Sequence, residues 1–374
     1  MGKRDSLQAA PATRQQIAGK ATVEGTARYA RRHGQRFAAD FYRSLADGSL
    51  AASIGIGTYL GQPDDDDDHA YEETVSRSLA SGVNLIDSAI NYRFQRSERA
   101  VGRAIRAAID RGDAARDEMF VCTKGGYIPL DGTPPGSREE YNHYLEREYF
   151  ATGLLMPEDV VAGGHSIAPA FLADQIARSL SNLRLDAIDL YYVHNPEQQL
   201  DVIPHPLFRE RLLAAFRLLE EQVAAGRIGG YGCATWAGLR VPPGNRNHID
   251  LAEIVEIATE AGGGSHHMCA VQLPINLGMA EAVRAPTQRL GSRTVPLLQA
   301  AMELGISVVS SATLMQARLA DGLPAQLGET FPGLATDAQR AIAFVRSLPG
   351  VTTALVGMKR IPHLAENLGA APPA

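Results

Sequence analysis

From residue 53 onward, short apolar runs alternate with longer stretches in which apolar residues return at helical spacing. Residues 53–57, 83–87, 119–124, 187–194, 228–234, 268–273, 307–311 and 353–356 read as buried strands. Between and after them, residues 69–81, 97–110, 171–183, 207–225, 250–261, 295–304, 337–347 and 361–368 read as helices. In the second of these, Ala100, Val101, Ala104 and Ala108 share one face. A strand–helix alternation predicts a parallel sheet, and eight such units predict a closed (β/α)8 TIM barrel. A doubly wound sheet is the competing architecture, but no G-x-G-x-x-G opens any of the helices.

Around this repeat the chain carries additions. Residues 41–45 and 50–52, joined through Asp47-Gly48, predict an N-terminal β-hairpin. Residues 1–40 read as a helical or mobile extension, and 41–374 as a single barrel domain. A long connection follows the third strand, at 125–167, with Pro129, Pro134 and Pro135 and the aromatics Tyr141, Tyr144, Tyr149 and Phe150. Long loops in compact domains are usually functional or disordered, and these aromatics favour an ordered lid over the barrel mouth. Tyr127, Tyr141, Tyr144 and Trp236 are its candidate pocket walls.

Charge and composition narrow the partners. The 374 residues hold 36 Lys and Arg against 42 Asp and Glu, a net charge of −6 that argues against nucleic acid or a membrane surface as partner. No run has the length of a membrane span, and the first 36 residues lack the apolar centre of a secretory signal. Cys122, Cys233 and Cys269 show neither metal-ligand spacing nor a disulfide framework, which suits reduced, buried thiols in a cytoplasmic protein. The aspartate run at 64–68 fits a solvated position at the start of a helix, where negative charge suits the dipole, better than a metal site. No metal is expected. Oligomeric state is not encoded in any pattern found.

Three polar residues end successive apolar strands: Asp87, Lys124 and His194, with Tyr92 five residues after the first. Each has a plain structural alternative, since Lys124 can simply pair with Asp87 and a core histidine can simply be hydrogen-bonded. In a barrel, however, strand ends share one mouth, and functional groups collect there. Asp, Tyr, Lys and His together suit proton delivery to a carbonyl oxygen. A lysine cation beside the phenol is expected to lower its pKa from about 10, the aspartate to hold the lysine charged, and the histidine to hydrogen-bond the substrate oxygen. No side chain supplies a hydride, so a reduction needs a nicotinamide cofactor. A strand-end lysine also suits a Schiff-base lyase, a reading that leaves Tyr92 unused.

Asp87-Ser88-Ala89 with Asn91-Tyr92, then Thr123-Lys124, then Val193-His194, resemble in order the catalytic tetrad of the aldo-keto reductase superfamily. The resemblance covers about residues 41–370. It implies a (β/α)8 barrel that reduces an aldehyde or ketone, with Tyr92 as general acid, Lys124 and Asp87 tuning it and His194 orienting the carbonyl. It also implies NADPH, or NADH in some members, lying across the C-terminal mouth. By the same resemblance, Thr58 and Tyr59 contact the nicotinamide ribose and pyrophosphate, and Asp87 also lies at the cofactor. Thr235 and Gln272 hold the carboxamide, and Leu314 belongs to the loop after the seventh strand. Gly357, Lys359, His363, Glu366 and Asn367 match the adenosine-binding segment, with Lys359 toward a 2′-phosphate. The chain departs from the pattern at Ala234-Thr235, where Ser-Asn is usual, and at Ser311-Ala312-Thr313-Leu314, which lacks the aromatic that stacks on the nicotinamide. Trp236 is the aromatic available in its place. A non-catalytic nicotinamide-binding sensor on the same fold is the alternative function.

Overall fold

Aliphatic and β-branched runs form the strands β1 (Ile54–Gly57), β2 (Leu85–Asp87), β3 (Phe120–Gly125), β4 (Ile188–His194), β5 (Ile228–Ala234), β6 (Met268–Pro274), β7 (Ser307–Ser311) and β8 (Val351–Gly357). Each pairs in parallel with its neighbours in sequence, and β8 returns to β1, so the sheet closes into a barrel without edges. Outside it run α1 (Asp65–Ser81), α2 (Arg96–Asp110), α3 (Pro169–Leu183), α4 (His205–Ala224), α5 (Leu251–Gly262), α6 (Leu297–Glu303), α7 (Asp337–Ser347) and α8 (Ile361–Leu368). This is the (β/α)8 barrel that the periodicity predicts. The computed structural model describes residues 16–373, so the first 15 residues of the N-terminal extension lie outside the described part.

Two apolar layers hold the barrel together. Outward-facing residues such as Ile86, Val121, Tyr191 and Val193 pack against the helices. Inward-facing residues, among them Leu85, Phe120, Cys122, Leu190, Tyr192, Ala270, Val309 and Leu355, fill the interior. Because side chains alternate across a strand, the residue two positions beyond an interior residue faces inward again, one layer nearer the C-terminal mouth. Leu85 is thus followed by Asp87, Cys122 by Lys124, Tyr192 by His194 and Ala270 by Gln272. The strand period alone aims these four polar groups at one another.

Two local departures from the sequence expectation have clear causes. Helix α1 starts at Asp65, not residue 69, because the Asp64 side chain accepts from the Asp67 N–H and caps it. Four aspartates then occupy the first turn, where the positive end of the helix dipole suits them. Residues 295–304 are not one helix: Gln288–Leu290 pairs antiparallel with Arg293–Val295, and α6 begins only after Pro296. Cys122 and Cys233 are buried as expected, whereas Cys269 is half-buried.

At the N-terminal side of the barrel, Tyr42–Ser44 pairs with Leu50–Ala52 as the Asp-Gly turn predicts. A helix, Val23–His33, lies beside this hairpin, with Arg28 2.7 Å from Asp117 and Arg32 2.7 Å from Glu118. The long connection after β3 is ordered by its aromatics. Tyr149 packs edge-on to Phe171 of α3 at 5.5 Å between ring centroids, and the Tyr144 hydroxyl donates to the Pro129 carbonyl at 2.6 Å. Among the described residues no helix is long and apolar enough to cross a membrane.

Candidate active site

At the C-terminal end of the strands lies a cavity of about 650 Å³. Asp87, Tyr92, His194 and Gln272 reach it from β2, the loop beyond β2, β4 and β6. Lys124 stands behind them, almost wholly buried, and donates to Asp87 Oδ1 and, at 2.8 Å, to the Ser88 carbonyl. The second Asp87 oxygen accepts from Gln272 Nε2 at 2.8 Å. Both carboxylate oxygens therefore have partners, as burial of a charge requires. The Lys124 ammonium lies 5.1 Å from the centroid of the Tyr92 ring, whose edge meets His194 at 6.0 Å. The four residues expected to act together are together.

Their protonation follows from burial and neighbours. Burial alone would lower the Lys124 pKa and is the largest single influence, but the charge and hydrogen bond of Asp87 together with the Tyr92 phenol outweigh it, so the pKa is raised and the ammonium stays charged. A lysine so held is a poor Schiff-base nucleophile, which needs the neutral amine. Burial pushes His194 well below the ordinary imidazole value, with Lys124 adding to the effect, so the ring is neutral. For Tyr92 the expectation of a lowered pKa is corrected. The residue is partly exposed to the cavity, yet protein crowds its hydroxyl, and that desolvation raises the pKa although Lys124 pulls it down. Desolvation was invisible in the sequence, where only the neighbouring cation could be seen. The phenol is consequently protonated at neutral pH, the form a proton donor must have.

Several groups absent from the sequence expectation hold this arrangement in place. Buried His165 bonds through Nε2 to the His194 carbonyl at 2.7 Å and through Nδ1 to Gln199 Nε2 at 2.9 Å. Burial keeps it neutral, with a pKa lowered to about 4. Gly126, at φ +143°, passes so close that a Cβ there would meet the His194 carbonyl at 2.9 Å. Asn195 follows His194 in left-handed backbone, φ +46°, and its amide donates to the Tyr127 hydroxyl at 2.8 Å. One oxygen of buried Glu197 collects the N–H groups of Trp236, Ala237 and Gly238, at 2.7, 3.0 and 3.3 Å, and so fixes the loop after β5. No motif marks these residues, because each acts through a fold-dependent contact with another loop.

The residues expected at a cofactor divide into two groups. Thr58, Tyr59, Asp87, Thr235, Gln272, Leu314, Gly357, His363, Glu366 and Asn367 all line the cavity. Lys359 is not among them, and its ammonium pairs with Asp67 at 2.6 Å. The Thr58 hydroxyl is engaged internally, donating to the Asp87 carbonyl at 3.0 Å and accepting from Ser97 at 2.7 Å. Of the candidate pocket walls, Tyr127 and Trp236 line the cavity, whereas Tyr141 and Tyr144 pack with Tyr149 and Phe171 beside it. Polar atoms without a protein partner also belong to the lining: Asn91 Oδ1, Thr235 Oγ1 and Thr313 Oγ1. Unpaired buried polar atoms are costly, so a ligand rich in donors and acceptors suits this wall. A nicotinamide dinucleotide is such a ligand. The loop after β7 adds Ala312, Gln316 and Ala317, each at positive φ, a strained backbone of the kind that collects at ligand sites.

Comparisons with known proteins agree with this geometry. The family model described as the aldo/keto reductase family matches residues 53–241. The aldo-keto reductase YhdN of Bacillus subtilis is 31% identical over 160 residues, which cover 42% of this chain and 38% of that protein. Glycerol 2-dehydrogenase (NADP(+)) of Hypocrea jecorina is 24% identical over 225 residues, 56% of each chain. The match thus spans well under two thirds of either relative. A crystal structure of an aldo/keto reductase from Klebsiella pneumoniae, in complex with NADP and acetate, superposes with a TM-score of 0.58 at 19% identity, covering 88% of this chain and 89% of that one. At that identity the likeness speaks to the fold.

Proposed function

This chain belongs to the aldo/keto reductase family, and on that premise we propose that it is an oxidoreductase that reduces an aldehyde or ketone to an alcohol with NADPH, Tyr92 acting as general acid. The observation that carries the reading is the gathering of Asp87, Tyr92, Lys124 and His194 at one wall of one cavity. When bound, the nicotinamide supplies the hydride that no side chain can. Thr235 and Gln272 would hold its carboxamide end, Thr58, Tyr59 and Leu314 its middle, and Gly357, His363, Glu366 and Asn367 its adenosine end. His194 hydrogen-bonds the substrate oxygen and orients it toward the Tyr92 hydroxyl, which gives up its proton as negative charge develops on that oxygen. The Lys124 cation, fixed by Asp87, stabilises the tyrosinate left behind.

The test is cofactor oxidation followed against a panel of aldehydes and ketones. Multiple turnover on any of them supports the reading; tight cofactor binding with no turnover on all of them would favour the sensor instead. Trp236 is the only tryptophan and lines the cavity, so its fluorescence reports binding independently of turnover.

Two further outcomes are expected. The rate of carbonyl reduction needs protonated Tyr92, and burial raises its pKa above 10. As pH rises, kcat should therefore hold through roughly pH 9 and fall only beyond the ordinary phenol range. A fall centred near neutrality would contradict a protonated phenol as the donor. The second outcome concerns Lys359. Its partner Asp67 also accepts from the Gln62 N–H, so the carboxylate ties Lys359 to the loop after β1. In Asp67→Asn the lysine is released, and NADPH should bind several-fold more tightly relative to NADH, about the effect of one exposed charge pair. Equal changes for both cofactors in a fluorescence titration would show that Lys359 does not meet the 2′-phosphate.

A further inference from the structure

Beside His194 stand two polar groups that the proton-transfer chemistry does not use, Tyr127 and Asn195, and both line the cavity. The Tyr127 ring is held edge-on between two imidazoles, 4.9 Å from His194 and 5.1 Å from His165. Its carbonyl accepts from Gln175 Nε2 at 2.6 Å, which fixes the backbone beneath the ring. Asn195 is fixed with equal care: its N–H donates to the Ala234 carbonyl at 2.6 Å while its backbone sits at φ +46° and ψ +56°. A non-glycine residue held in left-handed backbone at a cavity wall is a frequent mark of function. Here the consequence is visible, because the Asn195 amide reaches the Tyr127 hydroxyl.

That bond decides what Tyr127 can offer. A phenol hydroxyl has one proton to donate and lone pairs that accept. With Asn195 Nδ2 donating to the oxygen, the proton remains for an acceptor in the cavity. Burial raises the Tyr127 pKa to about 12, so the proton stays in place at neutral pH. Because Tyr127 packs directly on His194, an acceptor that meets it belongs to a substrate atom close to the carbonyl that His194 holds.

From this juxtaposition we infer that Tyr127 and Asn195 form a specificity dyad that selects carbonyl substrates bearing a second oxygen one or two carbons from the reacting carbonyl. The inference deepens the reductase reading and rests on it. Simple carbonyls leave the half-buried Tyr127 donor without a substrate partner beside His194, and a site built to hydrogen-bond a substrate oxygen discriminates against the analogue that lacks it.

The experiment compares 1-phenylethane-1,2-diol with 1-phenylethanol as ligands of the full chain saturated with oxidised nicotinamide cofactor. Binding is read from Trp236 fluorescence, which needs no turnover. The diol should bind about 10-fold or more tightly than the mono-alcohol. Tyr127→Phe removes the donor, and Asn195→Gly removes the amide while glycine keeps the left-handed backbone at little cost. Each should bring the ratio of the two affinities close to one. The same ratio is then measured as kcat/KM for 2-hydroxyacetophenone against acetophenone. A wild-type ratio near one, a preference that survives in both variants, or no binding of either ligand overturns the inference. If turnover on simple aldehydes persists in that event, the reductase reading stands without the dyad. If turnover is absent throughout while the diol preference holds, the pair binds a second oxygen but selects no carbonyl substrate, and the inference falls together with the reductase reading.

Discussion

Replacing Tyr92 with phenylalanine is expected to lower kcat for carbonyl reduction by about 10²–10⁴-fold, the range a positioned general acid contributes. The ring stays, so its edge contacts with His194 and with Tyr59, at 6.0 and 5.0 Å, stay too, and only the proton is lost. Cofactor affinity read by Trp236 fluorescence should therefore change little while turnover collapses. A variant that keeps wild-type turnover would mean that the proton comes from elsewhere, with His194, the residue proposed to hold the substrate oxygen, the first alternative. Burial works against that alternative, because it keeps the imidazole neutral.

Lys124→Met is expected to destabilise the barrel by about 3–5 kcal/mol, because it strands the Asp87 carboxylate in the interior with its charge uncompensated. The side chains of both partners are at least 95% buried, so solvent does little to screen the pair. Gln272 would still donate to the other oxygen, but one neutral donor does not replace an ammonium. Chemical denaturation gives the magnitude, and a second variant gives the cause. Asp87→Asn combined with Lys124→Met removes the stranded charge and should recover most of the loss. If the double variant is no more stable than the single one, the cost comes from packing around residue 124. Activity should stay low in both, since neither restores a cation beside Tyr92.

These two outcomes depend on features of unequal visibility in the sequence. The barrel was legible because strand and helix periods differ, and the limits of β5, β7, α7 and α8 coincide with the periodic runs. Asp87, Lys124 and His194 were legible for a related reason: each stands at the end of a largely apolar strand and falls on its inward face. The hairpin at Gln288–Leu290 and Arg293–Val295 was lost because its three-residue strands carry no period of their own and, unlike Tyr42–Ser44 and Leu50–Ala52, are not joined by an Asp-Gly turn. His165 and Asn195 were lost because a histidine inside a long loop and an asparagine after a strand carry no spacing signal. Their roles come from one backbone carbonyl and one phenol brought close by the fold. The protonation of Tyr92 was misjudged for a third reason, since crowding around a hydroxyl exists only once the chain has folded.

The excursion between β3 and α3 leaves the barrel directly after Lys124 and, before it returns, lays His165 beneath the backbone of His194 and Tyr127 against its ring. Its two feet stand in the reaction centre even though its aromatic body rests outside. A graft or deletion there would consequently be an edit to the chemistry as well as to the entrance. Descendants of this chain that seek new substrates by remodelling that excursion must carry both feet along unchanged.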